Sequence, residues 1–211
     1  MTFSFPPLED KTLNDIIIND FEEVSDAEPF IQSKLFLNND NILISLENLK
    51  LIDIKINNTV YHMIFEIADE KTYNFFYKLD KKILKFVRKQ TNLIFKKKDN
   101  NHCINNYFRS NLDLPLNFNS NPLLKVRVPI EKGNIKTKFF DINNKPIPIS
   151  DIKEGDKLNI LVKINSINFL ESYFFIDQIL YQAKSMTSNL AYTFLSETDS
   201  EPDILLSDQE T

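Results

Sequence analysis

The rhythm of apolar and polar positions changes along the chain, and each change marks an element. Residues 31–67 read as strands. Ile42–Leu46, Leu51–Ile56 and Val60–Ile67 are rich in β-branched residues and partly alternate. Within the second run, Leu51, Asp53 and Lys55 oppose Ile52, Ile54 and Ile56, so one face is expected to be buried. Asn57–Asn58 suits the turn that follows, because Asn tolerates positive φ. Asn14–Asn19 reads as a further short strand.

From residue 70 the period lengthens. Tyr73, Phe76, Leu79, Ile83 and Phe86/Val87 recur every three to four positions, which predicts an amphipathic helix over 70–89. Asp69 is a natural N-cap, since its carboxylate can accept the unpaired amide hydrogens of the first turn. Residues 91–121 are irregular and Asn-rich, with Tyr107–Arg109 as a loop anchor.

Alternation then returns. Leu124, Val126, Val128 and Ile130 oppose Lys125 and Arg127, and Ile135, Thr137 and Phe139 oppose Lys136, Lys138 and Phe140. Ile149–Asp156 reads as a turn of helix stopped at Gly155. Lys157–Asn165 is a strand with Leu158, Ile160, Val162 and Ile164 on one face, and Ser172–Ala183 is its expected partner. Two strand clusters flanking one helix predict a mainly β fold. Its expected form is an OB-fold-like small β-barrel, with the amphipathic helix inserted between the clusters.

Charge sharpens this picture. The net charge of −5 is unevenly spread. Residues 1–30 carry eight acids against Lys11, and 185–211 carry six acids and no base, which leaves +8 on residues 31–184. We therefore expect an acidic N-terminal segment (1–30), a basic body (31–184) and a disordered acidic tail (185–211). A basic body between acidic ends points to a polyanionic partner. Acidic ends that only keep the chain soluble are the plainer alternative. The densest basic stretch is 78–98, where Lys78, Lys81, Lys82, Lys85, Arg88, Lys89 and Lys96–Lys98 face Asp80 alone. A lysine face on a surface helix also has a plainer reading, simple solvation.

Other chemistry is scarce. The chain has 211 residues, 2 Gly, 1 Cys, 2 His and no Trp. Phosphate-cradling loops need more glycines than Gly133 and Gly155. Cys103 has no partner for an internal bridge, and the adjacent His102 does not make it a metal site. No Ser or Cys sits in a recognisable nucleophilic setting. No apolar run approaches the ~18 residues of a membrane span. We expect no enzyme, no cofactor, no metal and no membrane, in a reducing compartment. The abundance of Asn, Lys and Ile fits AT-rich coding, so lysine content by itself is discounted.

The order of parts then resembles a known family. Val60–Ile67 leads into the helix containing Phe76–Lys82, followed by Asn92–Lys97, Leu123–Ile130, Lys136–Asp141, Ile152–Leu158 and two closing strands. This resembles the single-stranded DNA-binding proteins of nucleocytoplasmic large DNA viruses, akin to phage-type proteins with an OB-fold and an acidic tail. The resemblance spans residues 40–183. That family tends to place a Trp in the final hairpin, where this chain has Phe169, Tyr173 and Phe174.

The resemblance implies non-sequence-specific single-stranded DNA binding in viral DNA replication, recombination or repair. It implies an acidic tail that contacts replication proteins and competes with DNA. The implied location is the host cytoplasm at the viral replication site, with packaging in the virion and a homodimer both compatible. The alternative is a non-enzymatic virion structural protein with a basic body.

Single-strand binding needs cations for phosphates and aromatic faces for bases. The expected site is Lys125, Arg127, Lys136, Lys138 and Phe140, on the outward side of two neighbouring strands. Lys157, Lys163, Tyr173 and Phe174 extend it, and Lys82, Lys85 and Lys89 on the helix are further candidates.

Overall fold

The computed structural model describes residues 8, 10–25, 30–57, 60–90, 104–115, 120–170 and 172–187. In chain order these hold α1 (Asp10–Asn14), β1 (Ile16–Ile18), β2 (Glu22–Ser25), β3 (Phe30–Leu37), β4 (Ile42–Asn57) and β5 (Val60–Glu66). Helices α2 (Glu70–Lys89) and α3 (Ile104–Tyr107) come next. Then follow β6 (Phe108–Arg109), β7 (Leu112–Asp113), β8 (Leu123–Val128), β9 (Ile130–Glu131) and β10 (Asn134–Ile135). The chain continues through β11 (Lys138–Phe140), β12 (Pro146–Ile147), β13 (Lys157–Phe169) and β14 (Phe174–Ser185). The expected lysines Lys96–Lys98, the His102–Cys103 pair and the acidic stretch 188–211 lie outside the described residues. No helix among the described residues is long and apolar enough to cross a membrane.

The fold is mainly β with one main helix, as the periodicity predicts. Twelve strands join one sheet among the described residues. Within it, β4 pairs with β5 and β5 with β8, both antiparallel. β8 meets β14 in parallel, β14 pairs antiparallel with β13, and β13 returns antiparallel to β4. Five strands joined in this Greek-key order are the arrangement of an OB-fold. The parallel seam is narrow, a single residue pair, Ile179 opposite Arg127. Three separate segments dock along that same edge of β14: β6 at Phe174–Phe175, β8 at Ile179, and β11 at Gln182–Lys184.

Where two strands were expected over 42–56, the structure has one of 16 residues. Its first half pairs with β13 and its second half with β5. The register with β13 slips opposite Glu47 and Asn48, where Asn48 takes φ +55° and its N–H donates to Asn159 Oδ1 at 2.8 Å. An extra residue in a left-handed conformation bends a strand without ending it. That bend breaks the alternation, so the sequence looks like two strands.

Helix α2 forms as its period predicts. Asp69 Oδ1 accepts the Thr72 N–H at 2.7 Å, worth about 1 kcal/mol. Phe75, Phe76, Leu79, Ile83 and Val87 are buried in the same core as Met63, Phe65, Val126 and Leu158. Each such side chain contributes about 1.5–3 kcal/mol by leaving water. A line of rings ties the parts together: Phe86 meets Phe21 at 5.7 Å, Phe21 meets Phe169 at 5.3 Å, Phe169 stacks on Phe174 at 5.3 Å, and Phe174 meets Phe108 at 5.2 Å.

The helical turn expected at 149–156 is a shorter 3₁₀ turn over Ile149–Asp151. Gly155, at φ +92°, instead serves the tight turn into β13, where its N–H donates to Leu51 O at 2.8 Å. Only a residue at ease with positive φ makes that turn cheaply.

Candidate nucleic-acid interface

Alternation decides what the sheet offers to solvent. In β8, Leu124, Val126 and Val128 are buried while Lys125 is exposed and Arg127 half-buried. In β5, Met63 and Phe65 turn inward, leaving His62, Ile64 and Glu66 outward. The register sets Lys55 opposite His62, His62 opposite Arg127, Arg127 opposite Ile179, and Ile179 opposite Lys163. One row therefore crosses five strands, roughly 19 Å measured along the sheet at the usual strand spacing, and it curves with the sheet because β13 returns to β4. It carries three cations and a histidine. The next row sets Asp53 opposite Ile64 and Ile64 opposite Lys125.

Arg127 is held in place. Its Nε donates to Asp177 Oδ1 and its Nη2 to Asp177 Oδ2, both at 2.7 Å. Asn165 Nδ2 donates to the same Oδ2 at 3.1 Å. The Asp177 side chain is only 4% exposed, against 32% for Arg127. The carboxylate thus works from beneath as a clamp, and the guanidinium keeps donors for an outside ligand. Lys55 reaches Asp53 at 3.6 Å at the surface.

His62 reports the local field. Burial lowers its pKa to about 4, helped by the charges of Lys125 and Arg127 and opposed by Asp177. It is neutral at pH 7, among cations that have no room for another positive group.

Aromatic faces stand at the hairpin end of this surface. Tyr173 and Phe175 have ring centroids 6.0 Å apart and are both half-buried. Phe175 sits beside Arg109 of β6 and is opposite Asn168 of β13.

The expected residues divide among three places. Lys125, Arg127, Lys163 and Tyr173 share the face just described. Phe174 leaves the list, because it is fully buried between Phe108 and Phe169. Lys136, Lys138 and Phe140 point outward from the core as alternation predicts, but they are not on a strand next to β8. β8 and β11 both dock on β14, one after the other. There Lys136 pairs with Glu131 at 2.8 Å across the β9–β10 hairpin, and Lys138 is exposed opposite Gln182. Lys157 is exposed at the start of β13.

Lys82, Lys85 and Lys89 lie on α2. The buried side of α2 joins the same core as the inward residues of β5 and β8. Lys82 donates to Leu13 O at 2.6 Å and Asn14 O at 3.2 Å, closing the end of α1.

Residues of the sheet face not singled out from the sequence include Lys55, His62, Phe175, Asp177 and Ile179. Strand parity in the structure separates Phe175 from Phe174. Ile176 and Leu180 are buried at 1% and 0% exposure, two and six positions after Phe174, which puts Phe174 inward and Phe175 outward.

No protein-family model matches the sequence, and no curated protein matches it. Among solved structures, the chain is similar to a single-stranded DNA-binding protein from bacteriophage Enc34 in complex with ssDNA. Identity is 8% and the TM-score 0.47, covering 70% of this chain and 87% of that one. A C-terminal truncation of the bacteriophage Enc34 protein is similar at 7% identity and a TM-score of 0.45, covering 80% and 96%.

Proposed function

We propose that this chain binds single-stranded DNA without sequence preference, through the outward face of β5, β8, β14 and β13. The observation that carries the reading is the row Lys55–His62–Arg127–Ile179–Lys163, with Lys125 beside it and Tyr173 and Phe175 at its end. In an OB-fold the second and third strands and the loop between the fourth and fifth take oligonucleotides. β5, β8 and the β13–β14 hairpin hold those places here. Cations that track phosphates, beside aromatic faces that accept any base, give sequence-tolerant binding to unpaired strands. A paired duplex keeps its base faces stacked inside and has no use for the aromatics.

The finer reading is that this binding serves viral replication, recombination or repair in the host cytoplasm, supported by the sequence resemblance. The six acids of residues 197–210 support a tail that recruits replication proteins and competes with DNA for the cations.

The test is fluorescence anisotropy of a labelled oligo-dT across a salt series, with duplex of equal length as competitor. It uses the full chain and a chain ending at Thr187. The cut falls there because Ser185 still pairs with Leu158, and the Met186 N–H donates to Lys157 O at 2.8 Å. We expect salt-sensitive, single-strand-selective binding that tightens without the tail and weakens in Lys125→Glu. Equal affinity for single and double strands overturns the reading and favours a virion structural protein.

A further inference from the structure

On α2, Tyr73, Tyr77, Lys81, Lys85 and Lys89 follow one another at four-residue steps, so each neighbours the next on a ridge that winds about 40° round the helix per step. Successive members rise about 6 Å. The Tyr73 and Tyr77 rings stack at 5.8 Å with 20° between their planes, and the Lys81 ammonium lies 5.0 Å from the Tyr77 centroid. Tyr77 is 39% exposed, a large aromatic left to solvent. Beside the row runs a groove of about 520 Å³ between α1 and α2, lined by Leu13, Asn14, Lys78, Lys81, Lys82 and Lys85. Lys82 fixes its rim by bonding the α1 carbonyls, with Asp15 close to it. The other acids of the helix are turned elsewhere. Asp80 is buried and accepts from Ser110 Oγ, and Glu70 accepts from Asn74 at the helix start.

We infer that this row and groove form a second contact for single-stranded nucleic acid, separate from the sheet face. Lysines alone would suit any polyanion, an acidic peptide included. The exposed ring of Tyr77 decides between them, because bases have flat faces to lay on an aromatic side chain and an acidic peptide does not. The ligand class is the one proposed above, but the surface is independent. The groove shares no lining residue with the sheet row, so a short oligonucleotide occupies one or the other. A long strand, or two short ones, engages both.

The chain has no Trp, so Tyr77→Trp installs a unique fluorophore on the row. The experiment titrates the full-length Tyr77→Trp protein with an eight-nucleotide oligo-dT, and in parallel the same protein also carrying Lys125→Glu. Anisotropy of the same labelled oligonucleotide is followed alongside. We expect Trp quenching in both proteins, two oligonucleotides per chain at low salt without Lys125→Glu, and one with it. Adding Lys81→Gln and Lys85→Gln is expected to abolish the quenching and to lower the salt slope by about 0.7 per lost contact. Binding seen by anisotropy with no change in Trp emission overturns the second contact and leaves the sheet face standing. Quenching that Lys125→Glu leaves at full stoichiometry upholds α2 and sinks the sheet reading instead. Quenching by a peptide of residues 197–210, and not by oligo-dT, overturns the inference and gives the groove to an acidic segment.

Discussion

On the sheet, Arg127 is gripped by Asp177 through two 2.7 Å bonds, and its neighbours Lys125 and His62 are set by strand register. On α2, Lys81 and Lys85 stand exposed, and Lys82 is held by two backbone carbonyls. The two regions carry similar charge in opposite settings. A clamped guanidinium has little freedom left to lose when a ligand arrives. A loose lysine gives up as much as about 2 kcal/mol of rotamer entropy. Arg127 is therefore set before the ligand comes, while Lys125 on the sheet and Lys85 on the helix are ordered by it. Sequence alone scores both regions as basic. Only the buried partner tells them apart.

The largest expected effect tests the clamp. Arg127→Ala leaves the Asp177 carboxylate buried without its cation and should cost about 3 kcal/mol or more in urea unfolding. Lys81→Ala should stay within about 0.5 kcal/mol. Equal losses would erase the contrast between the two regions.

A second test uses the displaced titrations of Asp80 and His62. Burial pushes the Asp80 carboxyl up to about 6, with the Ser110 hydrogen bond and Lys81 opposing. A carboxyl raised from 3.8 to about 6 binds its proton more tightly in the folded state. Its contribution is therefore favourable below pH 4 and is lost as pH rises through 6. Asp80→Asn should raise stability at pH 7 by up to about 3 kcal/mol and leave it unchanged near pH 4. His62, lowered from 6.5 to about 4, runs the other way: its contribution is present above pH 6.5 and is lost as pH falls through 4. Urea unfolding of Asp80→Asn at pH 4, 5, 6 and 7 should then show stability falling steadily with acid. A flat profile would mean that the sheet histidine does not resist protonation.

The smallest effect lies in salt dependence. Lys125→Ala should lower the salt slope of single-strand binding by about 0.7 and barely change stability. The same slope in Lys125→Ala as in the unaltered chain would remove that lysine from the phosphate path.

Much of this was legible in the chain because it is local. The four inward residues of Lys157–Asn165, the Lys125–Arg127 parity and the Asp69 cap depend on periods of two or 3.6 and on one neighbouring side chain. What stayed hidden is non-local or breaks the period. The single strand β4 hides behind the Asn48 bulge. The Asp177 clamp joins residues 50 positions apart. Phe174 and Phe175 are both aromatic, and apolar residues at both parities, such as Ile176 and Ile179, mask which ring goes inward. β6 and β7 are two residues each, too short to show a rhythm.

One consequence of the β14 edge concerns the order of events in synthesis. Strands β6, β8 and β11 all dock on β14, the last strand among the described residues, so each lacks that neighbour until its partner stretch within 174–184 is made. The nascent chain must keep those apolar faces from sticking to one another while it waits. Folding that depends on so distant a partner belongs to the millisecond-to-second class. The chain is therefore most exposed to aggregation just before β14 emerges, and a break anywhere in β14 should be far more harmful to yield than one in β1.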